Sequence, residues 1–366
     1  MKRALGIVIL CFSIWPLFAT QAQTPELPCY YRPTSLDKPW IGQDIPCIEE
    51  VVNLPEAGEL AFTSLAVSPD NRLFATRPRS GQIMLLTDGD DDGLPETVET
   101  YAEGLDRPNS LAFYEGSLYV AGRNHLYRIS ESQVETLVDS LPGNAGDWVG
   151  GIAVGIVGDS AEPRIYVAIG APCDDCVYDP SERAAILSYA LDGSDRQLVV
   201  TGLRQPSDLA IHNGELWVVD SAPQGLTGDA MADELNRVTA GADFGFPTCV
   251  GMDTALVENG CDGKVSPAVV FSTGSQPLGL VFYDSDVLES MTGDVLLAMG
   301  GTFNQLDLAG YQLAAISGIE TGSPSVRTLI PDSSSNDPAI ASLTPSTLNW
   351  RGVGFYPARP YDVVVN

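Results

Sequence analysis

From Ser64 onward, one arrangement of apolar and polar positions returns along the chain. A small or polar residue opens a short apolar run, a turn of Gly, Asp or Asn follows, and a second apolar run comes back. The copies are Ser64-Leu65-Ala66-Val67 with Leu73-Phe74-Ala75, Ser110-Leu111-Ala112-Phe113 with Leu118-Tyr119-Val120, and Gly151-Ile152-Ala153-Val154 with Ile165-Tyr166-Val167. Two more are Asp208-Leu209-Ala210-Ile211 with Leu216-Trp217-Val218, and Gly279-Leu280-Val281-Phe282 with Val295-Leu296-Leu297. Tyr361-Asp362-Val363-Val364-Val365 is a final half-copy. Such runs predict strands, and helical periodicity is almost absent. Hairpins recurring at irregular intervals of about 40 to 80 residues predict an all-β protein, a six-bladed β-propeller with loop insertions. A pair of β-sandwiches is the competing arrangement, and it leaves six copies of one hairpin unexplained. The sixth copy has one strand where two are expected. Its remaining strands lie beyond this sequence or come from the N-terminal segment, since an open sheet edge invites mispairing.

Ahead of the repeats, Met1-Lys2-Arg3, an apolar run from Ala4 to Ala19 and the small-residue pattern Thr20-Gln21-Ala22 read as a signal peptide over residues 1–22. An uncleaved anchor is the alternative, but the run is short and broken by Pro16. Leu10 before Cys11 argues against a lipoprotein. Residues 23–55, rich in Pro and Cys, read as an N-terminal arm pinned by a disulfide, and 56–366 as the propeller. No other apolar run approaches the ~18 residues of a membrane span, so a secreted or periplasmic product is expected.

Charge narrows the partners. Across 366 residues there are 48 acids against 19 bases, a formal net charge of −29, which disfavours nucleic acid. Six cysteines follow the signal, an even number that suits disulfides in an exported chain. Sequence proximity suggests Cys29–Cys47, Cys173–Cys176 and Cys249–Cys261. Cys173-Asp174-Asp175-Cys176 could instead be half of a zinc site or a redox motif, although no second CxxC accompanies it. Asp88-Gly89-Asp90-Asp91-Asp92-Gly93, with Glu99 at position 12, has the spacing of a calcium loop. Asp88, Asp90, Asp92 and Glu99 would be the ligands; the alternative is an acidic hairpin tip, because no helix pattern flanks it.

The most distinctive stretch runs from Gly202 to Cys249. Leu209-Ala210-Ile211 and Leu216-Trp217-Val218-Val219 flank the turn His212-Asn213-Gly214-Glu215, a hairpin signal. Arg204-Gln205-Pro206 precedes it; Asp233-Glu234-Leu235-Asn236 and Gly241-Ala242-Asp243-Phe244-Gly245-Phe246-Pro247 follow. In this order the motifs resemble the soluble glucose/sorbosone dehydrogenase family of pyrroloquinoline quinone (PQQ) enzymes, from about Ser64 to the C-terminus. The resemblance implies oxidation of a small sugar with PQQ and calcium, and electron transfer to an external acceptor. It places Arg204 on the cofactor, with Gln205 and Ser207 where Asn and a polar partner are usual. It makes Ala222 and Pro223 backbone ligands of the cofactor's calcium, and puts Asp233 and Glu234 beside a second calcium or in a loop-fixing network.

This chain also departs from the family. In Asn144-Ala145-Gly146-Asp147-Trp148-Val149 no histidine stands where the family has its catalytic base, and Asp147 takes that place. A carboxylate serves as a base when burial raises its pKa. In Met299-Gly300-Gly301-Thr302-Phe303-Asn304-Gln305, the family has His-Gly-Ser-Trp-Asn-Arg; Asn304 is kept and Gln305 replaces the arginine. The two histidines, His125 and His212, fall at scaffold positions. Three functions follow: a quinoprotein dehydrogenase, a propeller that has lost that chemistry and binds carbohydrate or protein, and a lactonase-type hydrolase, which would need a central cage of Asp, Asn and Glu.

Overall fold

The computed structural model describes residues 49, 51–52, 62–90, 92–143, 149–174, 178–223, 232–302, 309–330 and 359–365. The signal, Cys29 and Cys47 therefore lie outside the described residues. The described strands form five four-stranded antiparallel sheets and one separate two-stranded hairpin; four of the five sheets are simple meanders of sequence neighbours. Blade 1 is β1 (Leu65–Val67), β2 (Leu73–Arg77), β3 (Gln82–Thr87) and β4 (Thr97–Ala102). Blade 2 is β5 (Ser110–Tyr114), β6 (Ser117–Ala121), β7 (Leu126–Ser130) and β8 (Gln133–Val138). Blade 3 is β9 (Val149–Gly155), β10 (Arg164–Ile169), β11 (Ala185–Ala190) and β12 (Gln197–Thr201).

Blade 4 takes β13 (Pro206–His212), β14 (Glu215–Asp220) and β15 (Asp233–Val238). A separate hairpin, β16 (Cys249–Val250) with β17 (Thr254–Ala255), precedes its outer strand β18 (Val269–Phe271). Blade 5 is β19 (Pro277–Phe282), β20 (Val295–Met299), β21 (Gln312–Ser317) and β22 (Ser325–Ile330). Among the described residues the only helical turn is a 3-10 turn over Glu289–Met291.

Second strands read as unbroken apolar runs because both of their faces are covered by neighbouring blades. In β10, Ile165, Val167 and Ile169 pack toward blade 2, while Tyr166 and Ala168 pack toward blade 4. β14 divides in the same way, with Leu216 and Val218 toward blade 3 and Trp217 and Val219 toward blade 5. Period-two alternation thus feeds two cores at once. Each such Val, Leu or Ile side chain removed from water contributes roughly 1.5–3 kcal/mol. Outer strands such as β4 and β8 are mostly exposed, as their mixed Thr, Glu and Val sequences require.

The residue opening each repeat is what joins the blades around the axis. Ser64 Oγ accepts the Leu111 N–H at 3.1 Å, and Ser110 Oγ accepts the Ile152 N–H at 3.1 Å. Asp208 Oδ2 accepts the Leu280 N–H at 2.8 Å, and Asp362 Oδ2 accepts the Leu65 N–H at 2.7 Å. Glycine holds the two positions where the next backbone comes too close for a side chain. A Cβ on Gly151 would sit 2.4 Å from Asp208 Cα, and one on Gly279 would sit 2.6 Å from Asp362 Cα. Residues 361–365 therefore occupy the sixth place, with Val363 and Val365 packed on blade 5 and Asp362 closing the ring onto blade 1. The fold is the β-propeller that the repeats predict.

Two of the expected disulfide assignments concern described cysteines. Cys249–Cys261 is formed. Cys173 is disulfide-bonded as well, and its expected partner Cys176 lies outside the described residues.

Candidate active site

The innermost strands begin at one end of the ring around a cavity of about 620 Å³. Ladder irregularities shape its wall. Pro206 pairs with Asp220 and Asp208 with Val219, which leaves Ser207 as an extra residue; in β19, Pro277 pairs with Met299 and Gly279 with Ala298, which leaves Leu278. In β9 the register likewise slips between Val149 and Ile152. Bulges re-aim side chains at strand ends, and Gly150, Ser207 and Leu278 all line the cavity. Ser207 is tied in turn, its hydroxyl donating to the Pro277 carbonyl.

Arg204 and Gln205 line the same cavity, as does Arg359, which the sequence reading did not single out. Asp220 fixes the first pair. Its carboxylate accepts the Arg204 N–H at 2.8 Å and the Gln205 N–H at 2.6 Å. The Arg204 guanidinium binds Asp174 at 2.7 Å and donates to the Gln205 side-chain oxygen. Arg359 donates to the Gln276 side-chain oxygen and lies 5.9 Å from the centre of the Tyr311 ring. Two residues separate Arg359 from the ring-closing Asp362. An arginine in a weakly patterned segment gives no signal by itself; only ring closure brings it to the cavity that Arg204 also lines.

Behind these residues lies a group of buried carboxyls. Burial pushes Asp220 up to about 7 despite its two backbone donors. Burial pushes Asp233 up to about 6; its carboxylate accepts the Ala222 N–H at 2.8 Å and the Gln276 N–H at 2.7 Å. Glu234 is raised furthest, to about 8, by burial and then by the charge on Asp220. It accepts the Gly251 N–H at 2.8 Å and the Asn236 amide at 3.1 Å. The Asn236 side-chain oxygen is buried with no donor. Burial therefore favours the neutral form of Glu234, whose proton would give the Asn236 side chain a further partner. In the cavity wall, burial holds Asp208 well above the usual carboxylate range, with the charge on Asp362 adding to it, and pushes Asp362 up to about 6. The cavity thus presents two guanidiniums, that of Arg204 shared with Asp174, beside two acids, Asp208 and Asp362, that burial raises above the usual carboxylate range.

Other expected site residues are placed differently. Ala222 and Pro223 do not line the cavity; they adjoin it where the Ser221 N–H donates to the Gln205 carbonyl at 3.2 Å. Asp147, Asn304 and Gln305 lie outside the described residues. Asp88, Asp90 and Asp92 do converge, and their fourth partner is Glu96: one oxygen from each lies within 4.8 Å of the others. Glu99 is not in this group. With no helix to fold position 12 back over the loop, the chain runs straight into β4, where Glu99 pairs across from Leu85. His125 stacks on Tyr127 with ring centres 5.4 Å apart. His212 stacks on Phe282 at 4.0 Å, between Asp284 and Glu320 at 3.3 Å each. Neither histidine lines the cavity.

Residues 189–315 match the Glucose / Sorbosone dehydrogenase family model. That span holds Arg204, Gln205, Ser207, Asp220, Asp233 and Glu234, the described residues that build one side of the site. Solved structures with the same fold include the holo PQQ domain of pyranose dehydrogenase from Coprinopsis cinerea, at 12% identity and TM-score 0.60 over 82% of this chain and 87% of that one. A Trichoderma reesei carbohydrate-active enzyme of family AA12 matches at 19% identity and TM-score 0.57, over 73% and 80%. The PQQ-bound aldose sugar dehydrogenase of Streptomyces coelicolor matches at 17% and TM-score 0.52, again over 73% and 80%. No curated protein matches this chain. The glucose/sorbosone dehydrogenase match and the propeller agree.

Proposed function

We propose that this chain is an exported quinoprotein-type dehydrogenase that oxidises an aldose or sugar aldehyde with PQQ and calcium, passing electrons to an external acceptor. The observation that carries this reading is the pair Arg204 and Arg359 on one cavity at the strand mouths. The donor set fits a planar polycarboxylate. Two guanidiniums would pair with its carboxylates, the Asn109, Gln205 and Gln276 amides would serve its carbonyls, and the volume is in the usual range for small-ligand sites. PQQ, when bound, supplies the two-electron chemistry. The protein's own work is to hold and orient: Asp220 sets the Arg204 backbone, and Asp233 ties the Ala222 loop to Gln276. Asp147 is assigned the role of base toward the sugar hydroxyl. Ala222 and Pro223 are assigned to the cofactor's calcium, and the Asp88, Asp90, Asp92 and Glu96 group to a structural calcium. Around Asp90, burial first and then its acidic neighbours raise the carboxyl, a crowding that a divalent cation would relieve. The disulfide suits an oxidising compartment, and no helix among the described residues is long and apolar enough to cross a membrane.

Calorimetric titration of the purified protein with PQQ in calcium, followed by dye-linked oxidation of a panel of aldoses, tests the reading. Arg204→Ala and Arg359→Ala should each weaken PQQ binding about tenfold or more, the cost of one charge-assisted hydrogen bond. Asp147→Asn should leave binding intact and cut turnover sharply. A second reading, a propeller that binds carbohydrate or protein without redox chemistry, draws on one observation: no histidine lines the cavity. Absence of any PQQ binding heat would decide for it.

A further inference from the structure

The excursion between β15 and β18 carries a feature that the cavity does not use. Hairpin β16–β17 and the loop after it expose Met252 (58%), Leu256 (39%), Val257 (54%) and Val265 (38%). Four exposed apolar side chains on one short excursion of an acidic surface suit a contact site. The excursion is also held in shape. Cys249–Cys261 closes it, the Leu256 N–H donates to the Thr248 carbonyl at 2.9 Å, and the Thr248 hydroxyl donates to the Gly260 carbonyl at 2.9 Å. The Ser266 hydroxyl donates to Asp253 at 2.8 Å, bringing residues 265–266 beside the hairpin tip. A surface fixed beforehand loses little entropy on binding. Its rim is acidic: Asp253, Glu258 and Asp262 are exposed. Lys264, the only basic residue between Cys249 and Val270, is held by Asp243 at 2.6 Å.

We propose that this disulfide-pinned hairpin docks a small basic redox protein, one whose apolar contact patch is ringed by lysines or arginines. The identity of the partner rests on the dehydrogenase reading; the surface chemistry does not. A second copy of this chain would set acidic rim against acidic rim, with −29 on each molecule. Oxidation of an aldose hemiacetal to its lactone releases two electrons and two protons. Two ferric haem proteins take one electron each and become ferrous, and the protons pass to solvent. The hairpin adjoins the cavity through Glu234, which accepts the Gly251 N–H, and through its neighbour Asp233, which accepts the N–H of cavity-lining Gln276.

The test titrates the full chain, first without quinone, with a small basic c-type cytochrome and with an acidic one. Binding is expected for the basic protein alone, weakening as salt is added. The double variant Met252→Lys with Val257→Lys should weaken it about tenfold or more. So should Glu258→Lys with Asp262→Lys, which leaves the apolar groups in place. Both variants change exposed side chains, and in both, dye-linked oxidation should stay at the parent rate while cytochrome reduction falls with affinity. Equal binding by parent and variants, or equal binding of the acidic cytochrome, overturns the proposal. So does a parent dimer in sedimentation that Val257→Lys disperses, which would make the occupant a second copy. Since the binding arm needs no turnover, a parent without dye-linked oxidation counts against the dehydrogenase reading alone.

Discussion

Two seams of the ring are built on one plan with different chemistry. Between blades 1 and 2, the Ser64 hydroxyl accepts the Leu111 N–H; between residues 361–365 and blade 1, the Asp362 carboxylate accepts the Leu65 N–H. The two are in contact, for the Ser64 hydroxyl also hydrogen-bonds Asp362. A hydroxyl makes its bond at any pH. A carboxylate set into a wall makes a stronger bond when ionised but suffers from burial, and Asp362 is pushed up to about 6 as a result. The difference divides the ring. Blades 1 to 3 are joined by serine and glycine, whereas the half from blade 4 to the closing segment holds Asp208, Asp220, Asp233, Glu234 and Asp362, all of them raised. The acidic half is also the half that carries Arg204 and Arg359, so the site sits where the scaffold responds to pH.

The comparison is broken most directly at Asp362. Asp362→Ala leaves the Leu65 N–H without its acceptor and should cost about 1.5–3 kcal/mol, the range for a hydrogen bond to a charged group. A lower Tm and loss of hydrogen-exchange protection at Leu65 would report it. Asp362→Asn keeps an acceptor and removes the charge, and at pH 8 it should be at least as stable as the parent. A larger loss in the amide than in the alanine variant would refute the account of the seam.

Next in size is the pH profile. Carboxyls raised above their ordinary values near 4 bind more protons in the folded chain than in the unfolded one. Their contribution is therefore fully present in acid and is lost as pH rises through the folded values of about 6, 7 and 8 for Asp233, Asp220 and Glu234. The protein should melt higher at pH 5 than at pH 8. Glu234→Gln should flatten the last part of that fall, near pH 8, because the Asn236 oxygen can accept from the new amide. Calorimetric scans across this range, with an unchanged slope in the variant as the contrary result, settle it.

The smallest expected effect is at the hydroxyl seam. Ser110→Ala removes the acceptor of the Ile152 N–H and should cost about 0.5–1.5 kcal/mol, by the same amount at pH 5 and pH 8. Dependence of that loss on pH would blur the division between the two halves.

The sequence by itself determined the blades. Period-two apolar runs bounded by Gly, Asp and Asn read as strands, and the recurrence of one hairpin opening reads as a ring of like blades. The family resemblance pointed to Arg204, Gln205 and Ser207, which do line one cavity, and proximity suggested Cys249–Cys261, which is formed. Only the tertiary structure decided that Glu96 rather than Glu99 joins Asp88, Asp90 and Asp92, because the path of the chain after the loop, helix or strand, sets which carboxylate returns. It alone brought Arg359 to the cavity that Arg204 lines, by closing the ring between distant parts of the chain. It also set apart Asp208, Asp220, Asp233, Glu234 and Asp362 from the many other acids. Aspartate and glutamate look alike along a chain, and only burial against neighbouring blades shifts their protons.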